Sequence, residues 1–350
     1  MQSKSRREFL GSCMWLAVSG LSLPLASVIT GCRQSERGET AQTDFEPAYL
    51  ALHKSGELRR RGEVLWNIME SCRLCPRQCG VNRLDGNKGF CQASSDLVIA
   101  SHHPHFGEEK PLVGRGGSGT VFFSNCGLRC VFCINWDISW GGRGQVRTID
   151  DLADMMLDLQ KQGCHNINVV TPTHYSAHIV LALDKAAARG LNLPVVYNTC
   201  GWERPEILKI LDGIVDIYLP DFKYADGKMA AKYSSLAETY PEVTQAGLLE
   251  MHRQVGVAKV AEDGLIHRGL MIRHLVMPNR VGGTKQVLEW IGENLPKDTY
   301  VNVMSQYRPM HKAFDYPEIA RRITREEYAE AVRWAEEAGL TNLDLQGWPF

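Results

Sequence analysis

The sequence predicts an α/β fold, a partial (β/α)6 barrel behind an N-terminal cysteine-rich extension. Two patterns point there. From Ser118 onward, β-branched and aromatic runs alternate with amphipathic helical stretches, the order that builds a parallel sheet. Before and at the start of that alternation, seven of the eleven cysteines fall into two tight groups. Clustered thiols in a chain of this length read as metal ligands, because disulfide frameworks belong mainly to small secreted domains. The 350 residues are 44% hydrophobic and 23% charged, enough for one large domain and an extension. A formal net charge of -1 without a basic block argues against nucleic acid as a partner.

Residues 1–32 read as a leader. Ser5-Arg-Arg-Glu-Phe-Leu-Gly11 is similar to a twin-arginine export signal. The apolar stretch from Met14 to Ile29 is shorter than the roughly 20 residues of a stable membrane span. It ends in Ile29-Thr-Gly-Cys32, similar to a lipobox with Cys32 as the lipidated residue. The leader thus predicts a membrane-associated lipoprotein that uses the twin-arginine machinery. A cytoplasmic or cytoplasm-facing anchored protein is the alternative. Residues 33–70 follow as a polar tether and a short helical segment with Val64, Leu65, Ile68 and Met69 at helical spacing.

The extension proper spans 71–117. Cys72, Cys75, Cys79 and Cys91 stand among Pro76, Gly80, Gly86 and Gly89, a complete tetrahedral ligand set among turn-formers. Structural zinc, an auxiliary [4Fe–4S] cluster and disulfides are the three readings of this group. Having four ligands and no open position, it would assist and not perform chemistry.

The barrel is expected over 118–342, with 343–350 as a tail. Strands are expected at Thr120–Phe123, 167–171, 194–199, 214–219, 271–277 and Tyr300–Met304. Ile149, Leu152, Met155, Met156 and Leu159 share one helical face behind a start signal at Thr148 and Asp151. Two further helices are read from Ile207, Leu208 and Leu211 and from Val287, Leu288 and Ile291. The last opens with a capping box at Thr324 and Glu327 and stops at Gly339. In a parallel barrel, the loops at the strand C-termini carry function.

The loop after the first of these strands holds Cys126, Cys130 and Cys133. Three thiolates can hold three irons of a [4Fe–4S] cube and leave the fourth open, whereas zinc or an electron-transfer cluster wants four. Phe132, just before the third cysteine, would shield the cluster from water. This motif resembles the radical S-adenosylmethionine (SAM) superfamily. Together with Thr171-Pro-Thr-His174, Tyr197-Asn-Thr199, Asp221-Phe-Lys223 and Arg273-His-Leu-Val276, it resembles the branch related to pyruvate formate-lyase activating enzyme.

The resemblance implies a radical SAM partial barrel and reductive cleavage of SAM to a 5′-deoxyadenosyl radical. That radical would abstract hydrogen from a protein or small-molecule substrate, a glycyl-radical enzyme among the candidates. It implies a low-potential donor such as ferredoxin or flavodoxin. It places Asp221, Lys223 and Arg273 beside SAM. Thr173 and His174 stand where the superfamily often has Gly-Gly-Glu, and Asn198 where activating enzymes have aspartate near a monovalent cation. Both are departures. Another is Gln306-Tyr307-Arg308, where those enzymes place a histidine. A non-catalytic Fe–S electron-transfer or assembly protein on the same fold is the competing expectation. Cys200 stands alone at a strand end.

Overall fold

The computed structural model describes residues 45–347. The expected export signal, lipobox and most of the tether lie outside them. Nine strands form one sheet among the described residues: β1 (Leu97–His105), β2 (Ser118–Phe123), β3 (Gln145–Arg147), β4 (Ile167–Val170), β5 (Val195–Thr199), β6 (Ile217–Pro220), β7 (Gly269–Leu275), β8 (Tyr300–Met304) and β9 (Leu343–Leu345). Their order is β3-β1-β2-β4-β5-β6-β7-β8-β9. The six expected barrel strands, β2 and β4 to β8, run parallel. No pairing joins β3 to β9, so the barrel stays open, as a partial barrel requires.

Two expected boundaries move. β1 lies within the stretch read as the extension, and it pairs antiparallel with β2 and β3. β9 lies within the expected tail and pairs with β8. β1 carries three histidines, so its sequence looks polar. It gains its place because His103 and His105 pack on Phe122 of β2 (centroids 5.7 and 5.9 Å). β9 has only three residues, too few for a period to register.

Local rules set the helices. Ile149–Lys161 begins with the expected capping box, Thr148 and Asp151 exchanging side-chain and backbone bonds. Its buried face is Leu152, Met155, Met156 and Leu159. Arg325–Glu337 repeats the arrangement with Thr324 and Glu327. In Glu57–Asn67 the buried positions are Leu58, Gly62 and Leu65, whereas Val64, read at the same helical spacing as Leu65, is 37% exposed. Gly62 of that helix meets Leu181 of Ser176–Ala187, where even a Cβ would come within 2.7 Å. The Ala48 N–H donates to the Asp216 carboxylate at 2.9 Å, tying this segment to the barrel.

Inside the barrel, alternate strand residues face inward. The lower layer is apolar, with Val196, Ile217, Leu219, Met271 and Tyr300 closed by Leu112 and Ile266. Above it the inward positions turn polar: Asn168, Asn198, Asp221, Arg273 and Asn302. Glu108 and Glu109, on the connection from β1 to β2, reach Arg273, Asn198 and Asn302. The apolar layer seals one end and leaves the polar layer beneath the mouth.

Capping makes a stability forecast. Thr324→Ala removes the side-chain acceptor for the Glu327 N–H (3.2 Å) and should cost about 1 kcal/mol. Denaturant unfolding should show a lower midpoint with an unchanged slope.

Candidate active site

The cysteine loop leaves β2 through Ser124 and Asn125. Asn125 and Arg129 take positive φ values of 74° and 50°, which bends the chain back so that all three thiols share the mouth. Each sulfur accepts a hydrogen bond: Cys130 from the Ser234 hydroxyl (3.1 Å), Cys133 from the Ser139 hydroxyl (3.2 Å) and Cys126 from the Leu128 N–H (3.4 Å). The Trp140 indole donates to the Cys130 carbonyl at 3.0 Å and pins the loop from outside. Phe132 is buried between Tyr224 and Tyr307 (centroids 6.5 and 5.8 Å).

Burial pushes all three thiols up in pKa, Cys130 to about 12, against the pull of the nearby Lys223 ammonium. Without metal these are neutral thiols, and loading a metal must displace their protons. Three sulfurs on one loop, each with a donor and facing the half-buried Lys223 ammonium, fit a four-iron cluster with one iron left open. Among the described residues, no three His, Cys, Asp or Glu side chains are placed to hold a single metal ion.

Beside the loop, four of the expected SAM residues form one network. Asp221 accepts from Lys223 Nζ at 2.5 Å and from Arg273 Nε at 2.8 Å. Arg273 Nη2 also donates to Asn198 Oδ1 (2.6 Å), and the Asn198 amide donates to Glu108 (3.2 Å). Burial alone would raise Asp221, but Arg273 and Lys223 outweigh it and hold the carboxyl below the usual carboxylate range. Burial would lower Lys223, and Asp221 with the Cys130 sulfur reverses that. Burial raises Glu108, and Arg273 opposes the rise.

Backbone packing holds this arrangement. The Tyr240 hydroxyl lies 2.8 Å from the carbonyls of Cys200 and Asp221 and accepts the Lys223 N–H at 3.0 Å. Gly201, at φ 83°, passes so close that an added Cβ would meet the Asp221 carbonyl at 1.9 Å. Only glycine fits there.

Thr173 and His174 lie apart from that network. The Thr173 and Thr199 hydroxyls both bond Glu203 Oε1, so Glu203 braces the ends of β4 and β5. Its Oε2 has no partner. Burial pushes Glu203 up to about 7, against the donors Thr173 and Thr199. The His174 Nε2–H donates to the Ser124 carbonyl at 2.8 Å. Burial pushes this histidine down to about 3, so it is neutral and supports the cysteine loop.

The four-cysteine group packs against the same loop. Arg77 donates to the carbonyls of Gly127 (3.1 Å) and Ser235, and lies 3.9 Å from the Phe90 ring. A Cβ on Gly127 would lie 3.5 Å from Cys75 Sγ. Cys72 and Cys91 are buried, Cys75 is half-buried and Cys79 is exposed. All four are free thiols here, not paired as disulfides.

Sequence reasoning passed over Glu203, Ser139, Ser234 and Tyr240; Ser234 and Tyr240 meet partners remote in the chain, whereas Ser139 lies only six residues from Cys133 and Glu203 four from Thr199. It noted Cys200 without a role. The structure half-buries that residue beside Glu203 and the Cys126 sulfur, and desolvation raises the thiol far above its ordinary value.

Two forecasts come from this geometry. Lys223→Ala and Asp221→Ala should keep iron yet bind SAM roughly ten- to hundredfold more weakly, the loss expected for a charge-assisted contact. Titration of anaerobic, reconstituted protein measures it. Glu203 has a folded pKa above its unfolded 4.5, so its contribution is fully present below about 4.5 and is lost as pH rises through about 7. Stability should fall by about 3 kcal/mol across that window. Glu203→Gln should flatten the pH dependence of the unfolding midpoint.

Residues 120–246 match the model of the radical SAM superfamily. That stretch contains the three-cysteine loop, Glu203 and the Asp221–Lys223 pair. The chain is also 33% identical over 316 residues to the uncharacterized protein MJ0674 of Methanocaldococcus jannaschii. The match covers 86% of this chain and 84% of that protein. The cysteine loop at the mouth of an open parallel barrel, the matching family model and a relative aligned over most of both chains lead to one conclusion: the chain belongs to the radical SAM superfamily.

Proposed function

We propose that this protein is a radical SAM oxidoreductase of the activating-enzyme type, acting on a hydrogen of a protein or small-molecule substrate. Superfamily membership implies an enzyme that uses a [4Fe–4S] cluster and SAM. The observation that carries the finer reading is the Asp221–Lys223–Arg273 network beside Cys126, Cys130 and Cys133. It supports kinship with enzymes that activate glycyl-radical partners, a class argument by analogy. Bound together, the cluster and SAM supply one-electron cleavage of SAM to methionine and a 5′-deoxyadenosyl radical.

The chain's own residues prepare that chemistry. Cys126, Cys130 and Cys133 would hold the cluster, while Ser234, Ser139 and the Leu128 N–H orient their sulfurs. Lys223 supplies a half-buried positive charge for a carboxylate or ribose oxygen. Asp221 keeps that ammonium in place, and Arg273 keeps Asp221 ionised. Phe132 and the aromatic rings around it exclude water from the loop. A low-potential one-electron donor, such as a ferredoxin or flavodoxin, would supply the electron.

In the same reading, Cys72, Cys75, Cys79 and Cys91 carry a second metal centre, zinc or iron–sulfur, that supports the chemistry. Residues 1–32 support export by the twin-arginine route and lipid anchoring at Cys32. Among the described residues, no helix is long and apolar enough to cross a membrane.

Replacing Cys126, Cys130 and Cys133 together by Ala tests the catalytic reading. The variant should lose 5′-deoxyadenosine formation and the SAM-responsive paramagnetic signal, with its circular dichroism unchanged. A surviving SAM-dependent signal would sink the cluster assignment. A parent protein loaded with iron that never cleaves SAM would point to electron transfer or assembly instead.

A further inference from the structure

We propose that Arg83 is the built-in counter-charge of an anionic metal–thiolate centre at Cys72, Cys75, Cys79 and Cys91, and that it ties this centre to the SAM-cluster loop. The inference rests on the reading of the four cysteines as metal ligands. Arg83 has no solvent exposure. Its Nε and Nη2 donate to the Ser94 carbonyl at 3.1 and 2.7 Å, and its Nη1 donates to the His174 carbonyl at 2.7 Å. A further polar neighbour is Cys72 Sγ, 4.0 Å from Nη1. Among the described residues, no carboxylate pairs with this guanidinium.

Carbonyls satisfy its N–H groups but bring no charge. Arginine does not give up its proton in a protein, and a buried charge without an opposite one is costly. Neutral thiols or disulfides at the four cysteines would leave Arg83 uncompensated. Four thiolates outnumber the two positive charges of zinc or of an oxidised four-iron core, so either centre is anionic. A centre of that kind beside Cys72 supplies the missing negative charge.

The same guanidinium reaches the catalytic loop. His174, whose carbonyl accepts from Arg83, donates through Nε2 to the Ser124 carbonyl, two residues before Cys126. Arg77 approaches from another side by bonding Gly127, directly after Cys126. The four-cysteine group therefore supports the loop at two points, and its charge state bears on the residue that joins them.

Full-length holoenzyme purified anaerobically provides the test, with elemental analysis and competition against a chelator. The parent should carry metal beyond the SAM cluster, about one zinc or about four irons. Which metal it is separates the two sources of the shared chemistry. Arg83→Met should release that increment at roughly ten- to hundredfold lower chelator concentration, the usual effect of losing a residue that supports metal ligands. Arg83→Lys, which keeps the charge, should restore most of the retention. If Arg83→Met holds the metal like the parent, the counter-charge assignment is wrong. If Arg83→Lys fails as badly as Arg83→Met, Arg83 acts by packing, and the assignment is again overturned. If the parent holds no metal at the four cysteines, the metal reading itself falls, while its SAM cleavage stands as a separate result.

Discussion

The mouth of this barrel depends on one half-buried ionic contact, Asp221 held between Arg273 and Lys223. A carboxylate without a partner would not stay ionised at that depth, and neither cation would stay there alone. Removing one member leaves the others without their counter-charge, so the three stand or fall together. Through Arg273 the contact reaches Asn198 and Glu108 in the polar layer. Through Lys223 it reaches the cysteine sulfurs. One chain of alternating charge thus links the barrel interior to the place where the chemistry is read.

The barrel makes room for this chain by sorting its inward positions. Apolar residues close one end, and polar ones gather under the mouth, where Glu108 and Glu109 meet them. Gly201 and Tyr240 then set the backbone of the β6 end within a narrow tolerance. A side chain at Gly201 would collide with the Asp221 carbonyl, so the position of Asp221 is determined by the neighbouring loop as much as by its own strand.

The cysteine-rich extension is a structural partner of the catalytic loop. Arg77 and Arg83 both come from it, and both end on backbone carbonyls of the barrel or its loops. Because carbonyl dipoles need precise geometry, these contacts form only when the extension is seated.

Much of this was legible from the residues. The six parallel strands followed from the alternation of short β-branched runs and helical faces. The cap at Thr148 and Asp151 and the box at Thr324 and Glu327 depend on residues only three apart, and both stand in the structure. The cysteine loop and the Asp221-x-Lys223 spacing are likewise local, so they could be read directly. Contacts that span the chain could not. β1 and β9 join the sheet because of their neighbours, since their own patterns are weak. Glu203 became a brace only when β4 and β5 brought Thr173 and Thr199 to it. Val64 turned outward because the helix docks through Leu58, Gly62 and Leu65. The sequence by itself determined the cysteine spacings, the periodicities and the caps, which are set by covalent spacing. The tertiary structure alone decided that Arg273 joins the Asp221–Lys223 pair and that Thr173 meets Glu203, because those contacts depend on partners dozens of residues away.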